Sequence, residues 1–245
     1  VGFYDRATSV EAAWKYLIIC SVGITLALLG TVLLYASSVS FLGEASDALS
    51  WSTLMDPQVL ANLDVNLLRI AFIFVLVGYG TKVGLAPMHT WLPDAHSQAP
   101  TPVSALLSAV LLNCAMYGIL RFHLILSGSA VGPGFSSGLL LLFGILSLAT
   151  AAAFIVLSKD YKRMLAYSSI EHMGIIAVGF GIGGPLAIMG ALFHMLNHAL
   201  TKTLLFFGAG NVLQRYGTRE IAGVKGLATV MPATAVLVAG GALAI

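Results

Sequence analysis

The chain has 245 residues, 58% of them hydrophobic and only 9% charged, with a formal net charge of +2. A soluble domain carries about a quarter charged residues, so a mean hydropathy of +0.95 excludes that class. The small net charge, with no basic cluster interleaved with aromatics, argues against a nucleic-acid partner, and two cysteines without close-spaced partners, Cys20 and Cys114, argue against a disulfide framework or thiolate metal site.

Apolar runs that reach or exceed the ~20 residues needed to cross a bilayer core recur along the chain. They predict an all-α integral membrane protein, a polytopic helical bundle forming one membrane domain over residues 1–245 with about seven embedded segments. The first, Ala12–Ser37, is too long for the core of a signal peptide. The connector FLGEASDALSWSTLMDPQVLANLDVN is amphipathic and predicts short interfacial helices. The second segment, Leu67–Met88, runs into LAPMHTWLPDAHSQAPTP, where Pro87 and Pro93 predict a broken membrane helix near Lys82–Pro93. The third, Pro102–Leu126, opens on a proline whose missing N–H costs nothing at that position. The glycine-rich GSAVGPGFSSG separates it from the fourth, Leu139–Ser158. The fifth, Arg163–Ile182, is the least apolar and closes at GIGGP. The sixth is Pro185–Leu213, and the seventh begins at Met231 and runs to Ile245. A start at Val1 without methionine and a stop inside an apolar run are expected of a fragment of a longer protein.

If the segments alternate across the membrane, one side receives Arg6, Lys15, Lys159, Lys162, Arg163, Arg215, Arg219 and Lys225. The other receives Arg69 and Arg121 beside Glu44, Asp47, Asp56 and Asp64. The positive-inside rule then puts the N-terminus of the chain in the cytoplasm.

Two lysines, Lys82 and Lys202, fall well inside apolar segments. A charge at mid-bilayer costs about 2.5–3.5 kcal/mol on the insertion scale, so each needs a reason beyond snorkelling. In LFHMLNHALTK, His194, His198 and Lys202 recur every four residues and share one helix face. A zinc site would need a third ligand and the glutamate that HMLNH lacks, and haem would need facing ligands on other helices. Satisfied core histidines are the bland alternative. The functional one is a proton relay, because histidine titrates near neutrality and a desolvated lysine is drawn toward that range. Asn197 and Thr201 lie near the same stripe. Lys82, among Gly78, Gly80 and Gly84 and ahead of Pro87, sits where freed carbonyls would line a cavity. Glu171 and His172 fit either a solvated helix start or a pairing within the bundle. His89, Asp94 and His96 fit a hydrated loop or a proton uptake or release route, Arg121 and His123 read as interfacial, and Asn113 reads as a helix–helix hydrogen bonder.

Three stretches carry a resemblance: KVGLAPMHTWLPDAHSQAPTPVSALLSA, KRMLAYSSIEHMG and LFHMLNHALTKTLLFFGAGNV. Together, from about Gly78 to Gly226, they resemble the proton-translocating antiporter-like subunits of respiratory complex I, a family that includes Mrp antiporters. EAAWKYLIICSVGITLALLGT, LLNCAMYGILRF and YSSIEHMG look most like the component F branch of hydrogenase-4, the formate hydrogenlyase-type branch. The resemblance implies about fourteen membrane helices in two inverted repeats, each with one broken helix. It maps the family's broken-helix lysine to Lys82 and its central-axis residues to His194, His198 and Lys202. It places the glutamate that pairs with that lysine upstream of Val1, and the terminal charged residue beyond Ile245. Where relatives carry a lysine or histidine on the helix after the break, this chain has Ser108 and Asn113, so the link inward must use water or another side chain, with Glu171 and His172 as candidates.

The first reading is therefore a proton-conducting membrane subunit of a multisubunit oxidoreductase of hydrogenase-4, formate hydrogenlyase or complex I type. It would sit in a prokaryotic inner membrane beside other membrane and hydrophilic subunits, with no cofactor, metal or redox chemistry of its own. The alternatives are an Mrp-type sodium/proton antiporter subunit and a structural membrane anchor with a decayed proton path.

Overall fold

The computed structural model describes residues 2–3, 6–43 and 47–245; Glu44, counted above among the acidic residues, lies outside them. Helix α1, Ala7–Leu42, is followed by two short connector helices, α2 at Trp51–Leu54 and α3 at Pro57–Asn62. Asp56 caps α3 by accepting from the Gln58 N–H at 2.8 Å, and Asp64 caps α4 (Val65–Val83) by accepting from Leu67 N–H at 2.8 Å. These acidic caps satisfy N–H groups that the helix itself leaves orphaned.

Helix α4 stops at Val83, short of the Met88 that hydropathy suggested. Gly84 takes a left-handed conformation at φ 79°, and the N–H groups of Gly84 and Leu85 both return to the Gly80 carbonyl at 2.9 Å. That arrangement closes a helix C-terminus, and a side chain at Gly84 would also meet Leu92. The chain then crosses residues 84–90 without regular helix, with Pro87 exposed, before α5 begins at Trp91 and runs to Gln98. Pro93 thus lies in the first turn of α5 and not in the break itself, because first-turn positions need no N–H.

After Pro100 the chain enters one long helix: α6 at Thr101–Leu106, a π turn at Leu107–Leu111, and α7 at Leu112–Gly128. Helices α8 (Pro133–Leu157), α9 (Tyr161–Ile182) and α10 (Gly184–Tyr216) follow, then α11 (Leu227–Val230) and α12 (Pro232–Ala244). Asp160 caps α9 through the Lys162 and Arg163 N–H groups at 2.8 and 3.1 Å. Among the described residues five helices are long and apolar enough to cross a membrane: α1, α4, the α6–α7 helix, α8 and α9. At 33 residues α10 also exceeds the length of a span, though it carries the ionisable stripe.

Helices α1 and α4 pack backbone to backbone: a Cβ at Gly78 would collide with Gly23 and Ala27 of α1. The short α5 lies against both α1 and α9. Asp94 binds Lys15 of α1 at 3.0 Å and Arg163 of α9 at 2.9 Å. The break is fixed further by Ser147 of α8, whose hydroxyl accepts from the Ala86 N–H at 2.9 Å. The outward faces of α1 and α10 stay apolar and exposed, as in Leu28, Val32, Leu186 and Phe193, a pattern suited to lipid or further helices.

Candidate ionisable site along the bundle centre

Helices α9 and α10 bring the ionisable residues together. His198 and Lys202 are fully buried, His172 is nearly so, and His194 and Glu171 are half-buried. The Nδ1 of His172 and the Nε2 of His194 stand 3.1 Å apart, and the His172 ring centroid lies 5.9 Å from that of His198. Either ring can donate in the first contact, so one proton can reside on either side of it. His172 therefore belongs to the bundle and not to a solvated helix start, because α9 turns it toward α10. Glu171 is near enough for its charge to act on Lys202.

Lys202 donates to the Leu165 carbonyl at 3.4 Å, and that carbonyl also accepts from the Ser169 hydroxyl at 3.0 Å. Ser169 in turn meets Ser108, on the π turn, at 2.9 Å between buried hydroxyl oxygens. The neutral residue at the position after the break thus touches the helix that carries His172. Asn113 donates to the Met195 carbonyl of α10 at 3.1 Å, a helix–helix hydrogen bond. Among the described residues, no group of three His, Cys, Asp or Glu is arranged to hold a metal ion.

Two further groups are buried: His96, which fitted a hydrated loop or a proton route, and Lys162, counted among the basic residues of one membrane side. His96, on α5, is fully buried and stacked on Phe206 of α10 at 5.3 Å between centroids. Both nitrogens of His96 and both of His198 lack a protein hydrogen-bond partner. Lys162, of the KDYKR cluster, is buried at 2% exposure and donates to the Ala99 carbonyl at 2.7 Å. The signal for His96 was its place four residues after Leu92 and one after Ala95, on the apolar face of a short helix. Nothing in KDYKR marks one lysine as buried.

Lys82 stands apart from this cluster, half-buried in the last turn of α4 and facing Tyr16 of α1. The two residues that read as interfacial both make contacts within the protein. His123 is buried and its Nδ1 meets the Ser136 hydroxyl at 2.8 Å, while the Arg121 guanidinium stacks 4.2 Å from the centre of the Trp51 ring.

A family profile described as NADH:quinone oxidoreductase/Mrp antiporter, transmembrane, matches residues 1–245. The hydrogenase-4 component F homolog of Methylacidiphilum infernorum (isolate V4) is 49% identical over 236 residues, covering 95% of this chain and 48% of that protein. The chain therefore spans about half the length of this relative. Among solved structures, the membrane-bound sulfane sulfur reductase, an archaeal respiratory membrane complex, matches with a TM-score of 0.82 and 26% identity, over 99% of this chain and 47% of that one. The Mrp complex from Dietzia sp. DQ12-45-1b matches with a TM-score of 0.80 and 30% identity, over 96% of this chain and 24% of that one.

Proposed function

This chain belongs to the NADH:quinone oxidoreductase/Mrp antiporter transmembrane family, and we propose that it is part of a proton-conducting membrane subunit of a multisubunit oxidoreductase of the hydrogenase-4 kind. The observation that carries this reading is the three-histidine cluster of His172, His194 and His198 with Lys202 beside it, buried between two membrane helices. A buried row of side chains that can each take up and hand on a proton is suited to passing protons and is costly to keep otherwise. The unpartnered nitrogens of His96 and His198 are sites where water bonds in a hydrated file. In this reading Lys82 takes a proton beside the break, the Ser108–Ser169 hydroxyls and water link the helix after the break to His172, and the cluster passes it to Lys202. Redox chemistry resides in partner subunits, both membrane and hydrophilic, whose electrostatics shift the proton at Lys82.

The membrane is a prokaryotic inner membrane, with the basic ends of α9 and α10 on the cytoplasmic side. Lys202→Met in the assembled complex, reconstituted in proteoliposomes, is expected to lower proton translocation more than about tenfold, since the relay loses a titrating member. Translocation at the unaltered rate would sink this reading. The likeness to the Mrp complex favours a second one, a sodium/proton antiporter subunit. Replacing sodium by choline separates the two: transport that collapses without sodium supports the antiporter, and transport that persists supports the oxidoreductase subunit.

A further inference from the structure

Lys82 is held differently from the other cations near the broken helix. Lys15, Arg163 and Arg219 each have a carboxylate partner, and among the described residues the Lys82 ammonium rests against Tyr16 of α1. Its ammonium lies 3.5 Å from the Tyr16 hydroxyl and 5.0 Å from the centre of the Tyr16 ring. The ring face attracts the cation through its quadrupole and the hydroxyl oxygen accepts from it, so both parts of one side chain offset the cost of a charge at this depth. Cys20, one turn further along the same face of α1, also lies close to Lys82.

Tyr16 is itself fixed by the second half of the broken helix. Its ring meets Trp91, the first residue of α5, edge-on at 5.1 Å and 61°. Trp91 is fully buried, and its indole N–H donates to the Thr81 carbonyl at 2.7 Å, one residue before Lys82. The contacts close a ring: Lys82 to Tyr16, Tyr16 to Trp91, Trp91 to Thr81, and Thr81 by covalent chain to Lys82. A displacement of α5 relative to α4 must therefore move the surface on which the ammonium rests.

We propose that Tyr16 is a positioning residue for Lys82, a seat for its ammonium that Trp91 fastens to the far side of the helix break. The inference rests on the proton-path reading of Lys82. Tyr16 sets where the charged lysine waits, and the ring of contacts links that place to the posture of α5.

The test uses the assembled complex in proteoliposomes, reading redox turnover, protons moved per turnover and the amount of complex assembled. Tyr16→Phe keeps the ring and loses the acceptor, so coupled turnover is expected to fall about threefold. Tyr16→Leu loses both, and a fall of about tenfold is expected with assembly unchanged. Added to Lys82→Met, either change is expected to lower the remaining turnover by less than about twofold, because the seat has lost its occupant. Falls that multiply in the double variants, or wild-type coupling in Tyr16→Leu, would overturn the seat while leaving the role of Lys82 intact. If Lys82→Met alone leaves coupling whole, the proton-path reading falls and the seat with it. Should Tyr16→Leu fail to assemble, the Tyr16→Phe pair with and without Lys82→Met carries the same comparison.

Discussion

His96 and His198 are both buried, and their nitrogens find no partner in the protein, so each is a polar group placed where burial alone would not put it. For His96 a conservative replacement separates packing from proton handling. His96→Phe keeps an aromatic ring against Phe206, so the stability of the assembled subunit is expected to change by less than about 1.5 kcal/mol. Proton translocation is expected to fall about tenfold if the ring nitrogens carry protons, as general acid–base groups do. A vesicle assay of the variant checks this, and unaltered translocation would remove His96 from the path. The stripe of His194, His198 and Lys202 was visible in the sequence because a four-residue interval alone puts side chains on one helix face. His96 and Lys162 were hidden for opposite reasons. Prolines on both sides made PDAHSQ read as loop, and the charges around Lys162 made the whole KDYKR run count as basic charge at one end of the segments. Only tertiary contact, with Phe206 in one case and the Ala99 carbonyl in the other, decides their burial.

At the scale of elements, the break between α4 and α5 depends on Gly84, whose φ of 79° other residues adopt at a cost. Gly84→Ala is expected to destabilise the subunit by about 1–2 kcal/mol through the left-handed backbone alone, with the clash against Leu92 added. Thermal unfolding of the purified complex, followed by loss of this subunit, would show it; a melting temperature equal to wild type would mean the break tolerates another closure. Gly84 and Pro87 made the break legible, since a flexible residue and a breaker close together rarely continue a helix. The same logic misjudged Pro93, because proline ends a helix interior but fits a first turn. The π turn at Leu107–Leu111 had no signal in LSAVL, whose residues suit an ordinary α-helix equally.

For the whole molecule, the positive-inside rule predicts an orientation, with the basic ends near Lys159, Arg215 and Arg219 on one side and the acidic connector with Asp56 and Asp64 on the other. In a background lacking Cys20 and Cys114, Gln214→Cys is expected to react with an impermeant maleimide only from the cytoplasm, and Gln58→Cys only from outside. Both sites lie on exposed positions, so labelling of the two from one side would contradict the alternation. Of the seven segments expected, hydropathy and length place the five that α1, α4, the α6–α7 helix, α8 and α9 occupy as long apolar helices, and the seventh is the shorter α12; which helices touch was not legible. The acid on α5 has a mechanical meaning at this scale. Asp94 ties α5 to α1 through Lys15 and to α9 through Arg163, two tethers pulling from different neighbours. A rod held at one end by Trp91 and braced on both flanks has lost most of its freedom to translate. Turning about its own long axis would draw Asp94 from both partners and the Trp91 indole from the Thr81 carbonyl, so these restraints together keep His96 seated against Phe206.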